Sequence, residues 1–171
     1  AAAALEDSSK AVKTVVVENP DGDLFIVELK ERKGETLLIH CDEEDFQDAF
    51  TKFSKFLGVD AEPIRIPGGP KWLAAPTSEL PKELEPARRA AMEVLERHSP
   101  ERVILIAHSE CLLYDVIAAW ENELERVHEQ QLEDLRLSEK TLHEWMPRVR
   151  VEAYYAQKTE NQLKFNPLTQ Q

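Results

Sequence analysis

Arg102-Val103-Ile104-Leu105-Ile106-Ala107-His108-Ser109-Glu110-Cys111 is the stretch that decides the fold of this 171-residue chain. The unbroken apolar run from Val103 to Ala107 reads as a strand buried on both faces, the pattern of a parallel sheet. A short polar segment follows. Leu113, Val116, Ile117, Trp120, Leu124 and Val127 then recur at helical spacing, which predicts a long helix with those residues on one face. A strand that hands over directly to a helix is half of a βαβ unit.

Working outward, the same grammar recurs upstream. Residues 36–40 form a short apolar strand. Residues 45–57 follow with Phe46, Phe50, Phe53 and Leu57 at helical spacing and Gly58 as the stop. Residues 63–66 read as another short strand, ended by Pro67-Gly68-Gly69-Pro70. One helical turn over 72–75 and a proline-punctuated segment at 76–86 lead into a helix from Pro86 to about His98, with Ala87, Ala90, Ala91, Val94 and Leu95 inward. Downstream lies an amphipathic stretch containing Leu132, Leu135, Leu142 and Trp145, then strands at 149–156 and 163–165. Ahead of everything, residues 13–17 and 24–29 flank Asn19-Pro20-Asp21-Gly22, which has turn chemistry and predicts a β-hairpin.

Alternating strands and helices predict an α/β fold: a mainly parallel central sheet with helices on both faces and right-handed crossovers. The N-terminal hairpin and the closing strand pair would make that sheet mixed. Residues 1–12 read as a flexible tail, and 13–171 as a single α/β domain.

Composition narrows the function classes. Hydrophobic residues at 42% and charged residues at 32% are those of an ordinary globular protein. With 33 acidic against 21 basic side chains, the net charge is −12, which repels phosphate backbones and argues against a nucleic-acid partner. No apolar run reaches the roughly 20 residues needed to span a bilayer. The alanine-rich start lacks a basic leader, so no signal peptide is expected. Two cysteines make no disulfide scaffold, and a reducing cytoplasm is the expected compartment.

Those cysteines are better placed for a metal. His108 and Cys111 follow the clearest strand, and Cys41 follows an earlier one. In open α/β sheets, ligands gather at the carboxyl ends of strands near a switch in strand order, so neighbouring strands would bring all three to one rim. Thiolate and imidazole are preferred zinc ligands, and three protein ligands leave a fourth position open. Either cysteine alone also reads as a small buried hydrophobe, and spacing alone leaves both readings open. His40 should point to the opposite face from Cys41. Asp42, Glu43, Glu44 and Asp45 read as acidic capping of the helix that follows. Gly68-Gly69 either offers backbone N–H groups to a small anion or simply turns. Trp72, Tyr114 and Trp120 read as pocket lining or core, and His128 and His143 as solvated.

Three stretches together carry a family resemblance: His40-Cys41-Asp42-Glu43-Glu44-Asp45-Phe46-Gln47, Ile66-Pro67-Gly68-Gly69-Pro70, and Val103 through Cys111. In order and spacing, across roughly residues 36 to 120, they resemble a bacterial branch of the β-class carbonic anhydrase-like proteins. The closing Arg150-Val151-Glu152-Ala153-Tyr154-Tyr155 is similar as well. The resemblance implies Zn²⁺ held by Cys41, His108 and Cys111, a carbon dioxide/bicarbonate substrate, and a homodimer or larger assembly. In the family the first cysteine opens Cys-x-Asp-x-Arg, a catalytic pair in which the arginine holds the aspartate off the metal. Here Glu43 and Asp45 occupy those two catalytic positions, and Leu112 replaces the glycine that commonly follows the second cysteine. Without the restraining arginine, Glu43 is free to become a fourth ligand, unless Lys71, Arg88 or Arg89 supplies the missing cation in space.

Four functions follow from this reading. One is reversible hydration of carbon dioxide, with Glu43 orienting the reactant or gating the site. Another is a zinc hydrolase or lyase acting on a related small molecule. The third is a closed, non-catalytic zinc protein of the same fold. The last is a metal-free scaffold with two inert cysteines.

Overall fold

A computed structural model describes residues 2–6, 13–19, 22–27, 35–59, 63–74, 82 and 85–168. Pro20 and Asp21 of the expected hairpin turn, the last two residues of the strand expected at 24–29, and most of the segment at 76–86 lie outside them. The chain divides into two compact units, 1–33 and 34–171.

The first unit is an antiparallel sheet of β1 (Ala2–Glu6), β2 (Lys13–Asn19) and β3 (Gly22–Val27), in that spatial order. The β2–β3 pair is the predicted hairpin, with Asn19 opposite Gly22 and Thr14 opposite Val27. It does not extend the central sheet. The β-branched run Val15-Val16-Val17 favours a strand, and β2 finds a second partner in residues 2–6, the stretch expected to be a tail.

The second unit holds β4 (Thr36–His40), α1 (Glu44–Phe56), β5 (Ile64–Arg65), a 3-10 turn (Gly69–Leu73) and α2 (Glu85–Arg97). It continues with β6 (Arg102–His108), α3 (Leu112–Glu121), a 3-10 turn (Leu124–Arg126) and α4 (Val127–Trp145), and closes on β7 (Arg150–Thr159) and β8 (Gln162–Pro167). Its sheet runs β5-β4-β6-β7-β8. The first four strands are parallel and β8 is antiparallel. This is the expected α/β architecture, and the order reverses between β4 and β6.

Alternation along the central strands sorts the core into two layers. Leu38, Ile104 and Ile106 meet Phe46 and Phe50 of α1 on one face. Leu37, Ile39, Val103 and Leu105 meet Leu95 of α2 and Leu135 and Leu142 of α4 on the other. Helices therefore cover both faces.

Two helix faces differ from their sequence readings. The buried side of α2 is Arg88 and Leu95, with Ala91 and Met92 half-buried, while Ala87, Ala90 and Val94 are exposed. Arg88 can lie inward because Glu85 pairs with its Nε and Nη2 at 2.9 Å each and Met92 Sδ lies 3.2 Å from Nη1. The expected long helix after β6 is broken: α3 ends at Asn122, whose φ of 58° is left-handed, a conformation asparagine tolerates. Tyr114, Ile117 and Ala118 consequently face inward, and Val116, Trp120 and Leu124 face out. Among the described residues, no helix is long and apolar enough to cross a membrane.

Candidate metal centre

Because β4 and β6 are parallel neighbours, the residues that leave their carboxyl ends meet at the switch in strand order. Cys41 follows β4 directly. His108 ends β6, and Cys111 is the N-cap residue of α3. Glu43, the residue before α1, joins them, and one ligand atom from each of the four lies within 4.8 Å of all the others. Cys41, His108 and Cys111 are buried, and Glu43 is half-buried.

The local backbone explains the convergence. Glu110 holds a left-handed φ of 57°, which folds the short turn between His108 and Cys111 back on itself. Lys158 of β7 steadies this turn: its Nζ lies 2.7 Å from Glu110 Oε2, and its N–H donates to Ser109 Oγ at 2.8 Å. On the other side, Gly68 and Gly69 both have positive φ, and a Cβ on Gly69 would come within 2.9 Å of the Cys41 nitrogen and the His40 carbonyl carbon. The glycine pair thus lets the loop lie flat against Cys41. Gly68 donates its N–H to Cys41 Sγ at 3.4 Å, so the loop serves a protein sulfur.

Three of the donor spacings lie close to the edges of a tetrahedral metal site. Cys41 Sγ is 3.9 Å from Cys111 Sγ and 3.4 Å from Glu43 Oε2, and His108 Nε2 is 3.2 Å from the same oxygen. A tetrahedron with metal–sulfur bonds of about 2.3 Å and metal–nitrogen or –oxygen bonds of about 2.0–2.1 Å has edges of about 3.3–3.8 Å. The histidine is prepared for such a role. Its Nδ1 donates to the Ser109 carbonyl at 2.7 Å, which leaves the Nε2 lone pair facing the cluster. Nε2 is buried and makes no hydrogen bond of acceptable direction. Phe46 packs on this ring at 4.3 Å between centroids and fixes its plane.

Electrostatics point the same way. The hydrogen bond from Cys111 holds the Cys41 thiol far below its ordinary range, at about 3, against the opposing effect of burial. Cys111 is pushed up, first because it is the donor to Cys41 and then by burial. Burial also raises the Glu43 carboxyl. Burial alone would lower His108, yet the Cys41 sulfur and the Ser109 carbonyl raise it overall, so a proton and a cation compete for one lone pair. A thiolate and a carboxylate 3.4 Å apart in a half-buried pocket repel each other unless a proton or a cation lies between them.

Glu43 does not cap the helix it precedes. Its Oε2 instead accepts the N–H of Leu112 at 3.1 Å, at the start of α3. Asp45 lies outside the cluster, exposed on the first turn of α1. None of the three candidate cations faces Glu43: Lys71 pairs with Asp134, and Arg88 and Arg89 pair with Glu85. His128 is exposed, as expected, with its Nδ1 3.0 Å from the Tyr155 hydroxyl, whereas His143 is half-buried. Tyr114 is core, whereas Trp72 donates to the Pro67 carbonyl and Trp120 is exposed.

Sequence reading misses the support behind the site. Gln131 donates to the His108 carbonyl at 2.7 Å, and Asp134 accepts from Lys71 and Tyr114. The available signal was the presence of polar residues on the inward stripe of an amphipathic helix, the one that also carries Leu135 and Leu142.

No family model matches the chain, and no curated protein sequence matches it. Solved structures do. A tetrameric β-carbonic anhydrase from the filamentous ascomycete Sordaria macrospora is 15% identical, over 79% of this chain and 81% of that one, with a TM-score of 0.46. A carbonic anhydrase from Glaciozyma antarctica is 16% identical over 76% and 80%, with a TM-score of 0.45. A β-carbonic anhydrase of the fungal pathogen Aspergillus fumigatus is 14% identical over 77% and 74%, with a TM-score of 0.40. These likenesses concern the fold alone.

Proposed function

We propose that this chain is a zinc-binding, β-carbonic anhydrase-like protein in which Cys41, His108 and Cys111 hold the ion and Glu43 closes its fourth position. The observation that carries the reading is the placement of Glu43 Oε2, 3.4 Å from Cys41 Sγ and 3.2 Å from His108 Nε2, as the fourth corner of the donor set. Two thiolates, one carboxylate and a neutral imidazole around Zn²⁺ give a net charge of −1 and leave no vacant position. In the open form, zinc would supply a Lewis acid able to activate water at neutral pH for the reversible hydration of carbon dioxide.

The chain's own residues would control that step. The same Glu43 Oε2 also accepts the Leu112 N–H at 3.1 Å, where a helix N-terminus favours its charge. Withdrawal of this carboxylate from the donor set would open the fourth position. Phe46 and Phe50 beside His108 keep the inner wall apolar. Asp45 has no part in this mechanism.

The sequence resemblance also implies self-association. The exposed stripe Leu112, Val116, Trp120 and Leu124 is the surface we assign to a second copy. Trp120→Glu should then shift sedimentation toward the monomer.

The test is zinc content with stopped-flow carbon dioxide hydration, on the wild type and on Glu43→Ala. The closed-site reading expects about one zinc per chain in both proteins, with hydration slow in the wild type and faster in the variant. Rapid hydration by the wild type, unchanged in the variant, would show that Glu43 does not close the site. Zinc in both proteins with hydration in neither would favour the non-catalytic reading.

A further inference from the structure

Three side chains of α4 are polar and essentially inaccessible: Gln131 and Asp134 at 1% exposure and Ser138 at 0%. Their spacing places them on one helical face. Between them they bond three segments that carry the metal site. Gln131 Nε2 donates to the carbonyl of His108 at 2.7 Å. Asp134 Oδ2 accepts from Lys71 Nζ at 2.6 Å and from Tyr114 OH at 2.8 Å. The Ser138 hydroxyl is shared between the carbonyls of Pro70, at 2.6 Å, and Asp134, at 2.8 Å.

Two of these contacts lead on to the sulfurs. Lys71 and Pro70 belong to the 3-10 turn that starts beside Gly68, the residue whose N–H donates to Cys41 Sγ. Tyr114 follows Cys111 by one helical turn and packs with Cys41 and Cys111 in one small buried cluster. A buried ion pair seldom adds stability over well-packed apolar residues of similar size. The Lys71–Asp134 pair, with both side chains 1% exposed, therefore calls for a role other than stability.

We infer that Asp134 is a positioning residue: through Lys71 it sets the loop whose Gly68 amide holds the Cys41 sulfur, through Tyr114 it sets the start of α3 that carries Cys111, and Gln131 beside it fixes the end of β6 at His108. The inference rests on the zinc reading above. It adds that the affinity and symmetry of the site are controlled from α4, by groups that never touch the metal. Partners in the layer behind metal ligands commonly govern affinity by about 10–100-fold.

The experiment measures zinc affinity by competition with a chromophoric chelator, together with the visible spectrum of the Co²⁺-substituted protein. It compares the wild type with the double variant Lys71→Met/Asp134→Leu and with Tyr114→Phe. The double variant removes both charges at once and leaves no unpaired ion. It should fold with an unchanged thermal midpoint or a higher one, bind zinc about 10–100-fold more weakly, and show altered cobalt d–d bands. Tyr114→Phe deletes one hydroxyl and should move both readouts in the same direction by a smaller amount. If the double variant does not fold, Tyr114→Phe decides alone. Wild-type affinity and spectrum in the folded variants would overturn the positioning role and leave the zinc reading intact. A wild type that binds no zinc would overturn both.

Discussion

On the face of the sheet closed by α1, Leu38, Ile104 and Ile106 pack into a cluster of apolar and aromatic side chains, with Phe46 and Phe50 at the centre. On the opposite face α4 sets Gln131, Asp134 and Ser138 among Leu135 and Leu142, and hydrogen bonds run from them to three separate segments. Burial of apolar area is non-directional, so the first face can hold the sheet together but cannot choose the angle of a loop. Hydrogen bonds are directional and costly to leave unmade, so the second face can choose it. The division implies that stability and site geometry can be perturbed separately.

The largest expected effect breaks the polar face on one side only. Asp134→Ala strands the Lys71 ammonium in the interior and should cost about 3–5 kcal/mol in chemical denaturation. Adding Lys71→Met should restore most of that loss, whereas a persisting deficit would mean that the pair is a net source of stability. The matching cut on the apolar face is Ile104→Ala, expected to cost about 2–5 kcal/mol. Its folded fraction should bind zinc with wild-type affinity, and a large loss of affinity there would erase the distinction between the faces.

A smaller effect is expected where the two strand ends touch. Gly69→Ala places a Cβ against the Cys41 backbone at a φ of 53° and should cost about 1–3 kcal/mol. Zinc affinity should fall with it, because the loop that carries the Gly68 amide must move away. Unchanged affinity would show that this amide is dispensable to the Cys41 sulfur.

The smallest effect lies in alkali. Tyr155, whose hydroxyl donates to Gln131 Oε1 at 2.9 Å, is raised from 10.0 to about 12, chiefly by burial and secondarily by Cys111. The neutral phenol is the folded form. Its contribution to stability is therefore complete below pH 10 and is lost as the pH climbs toward 12. Tyr155→Phe should flatten the fall of the thermal midpoint across that interval. Parallel curves for the two proteins would exclude the group as a contributor.

Much of this architecture was legible in residues 102–111, because an unbroken apolar run followed by a polar turn admits few structures besides a central parallel strand and the start of a helix. The meeting of Cys41 with His108 followed from one further assumption, that their strands are adjacent. What the sequence hid was non-local. Nothing near position 45 reveals that Asp45 points to solvent while Glu43 reaches across to the first amide of α3. The inward side of α3 was misread because Val116, Trp120 and Leu124 continue an apolar period past Asn122, where the helix stops. Arg88 could not be assigned to the core without knowing that Glu85 and Met92 would take its guanidinium. The hairpin was visible from its own residues, but its strand partner in residues 2–6 lay in a stretch with too little pattern to read.

The most direct test of the central claim is the metal content and coordination of the purified protein, by mass spectrometry for stoichiometry and X-ray absorption for the shell. The account predicts about one zinc per chain, with two sulfur neighbours near 2.3 Å and two nitrogen or oxygen neighbours near 2.0–2.2 Å, and loss of one sulfur in Cys111→Ala. A protein that folds without metal and gains no stability from added zinc would contradict it.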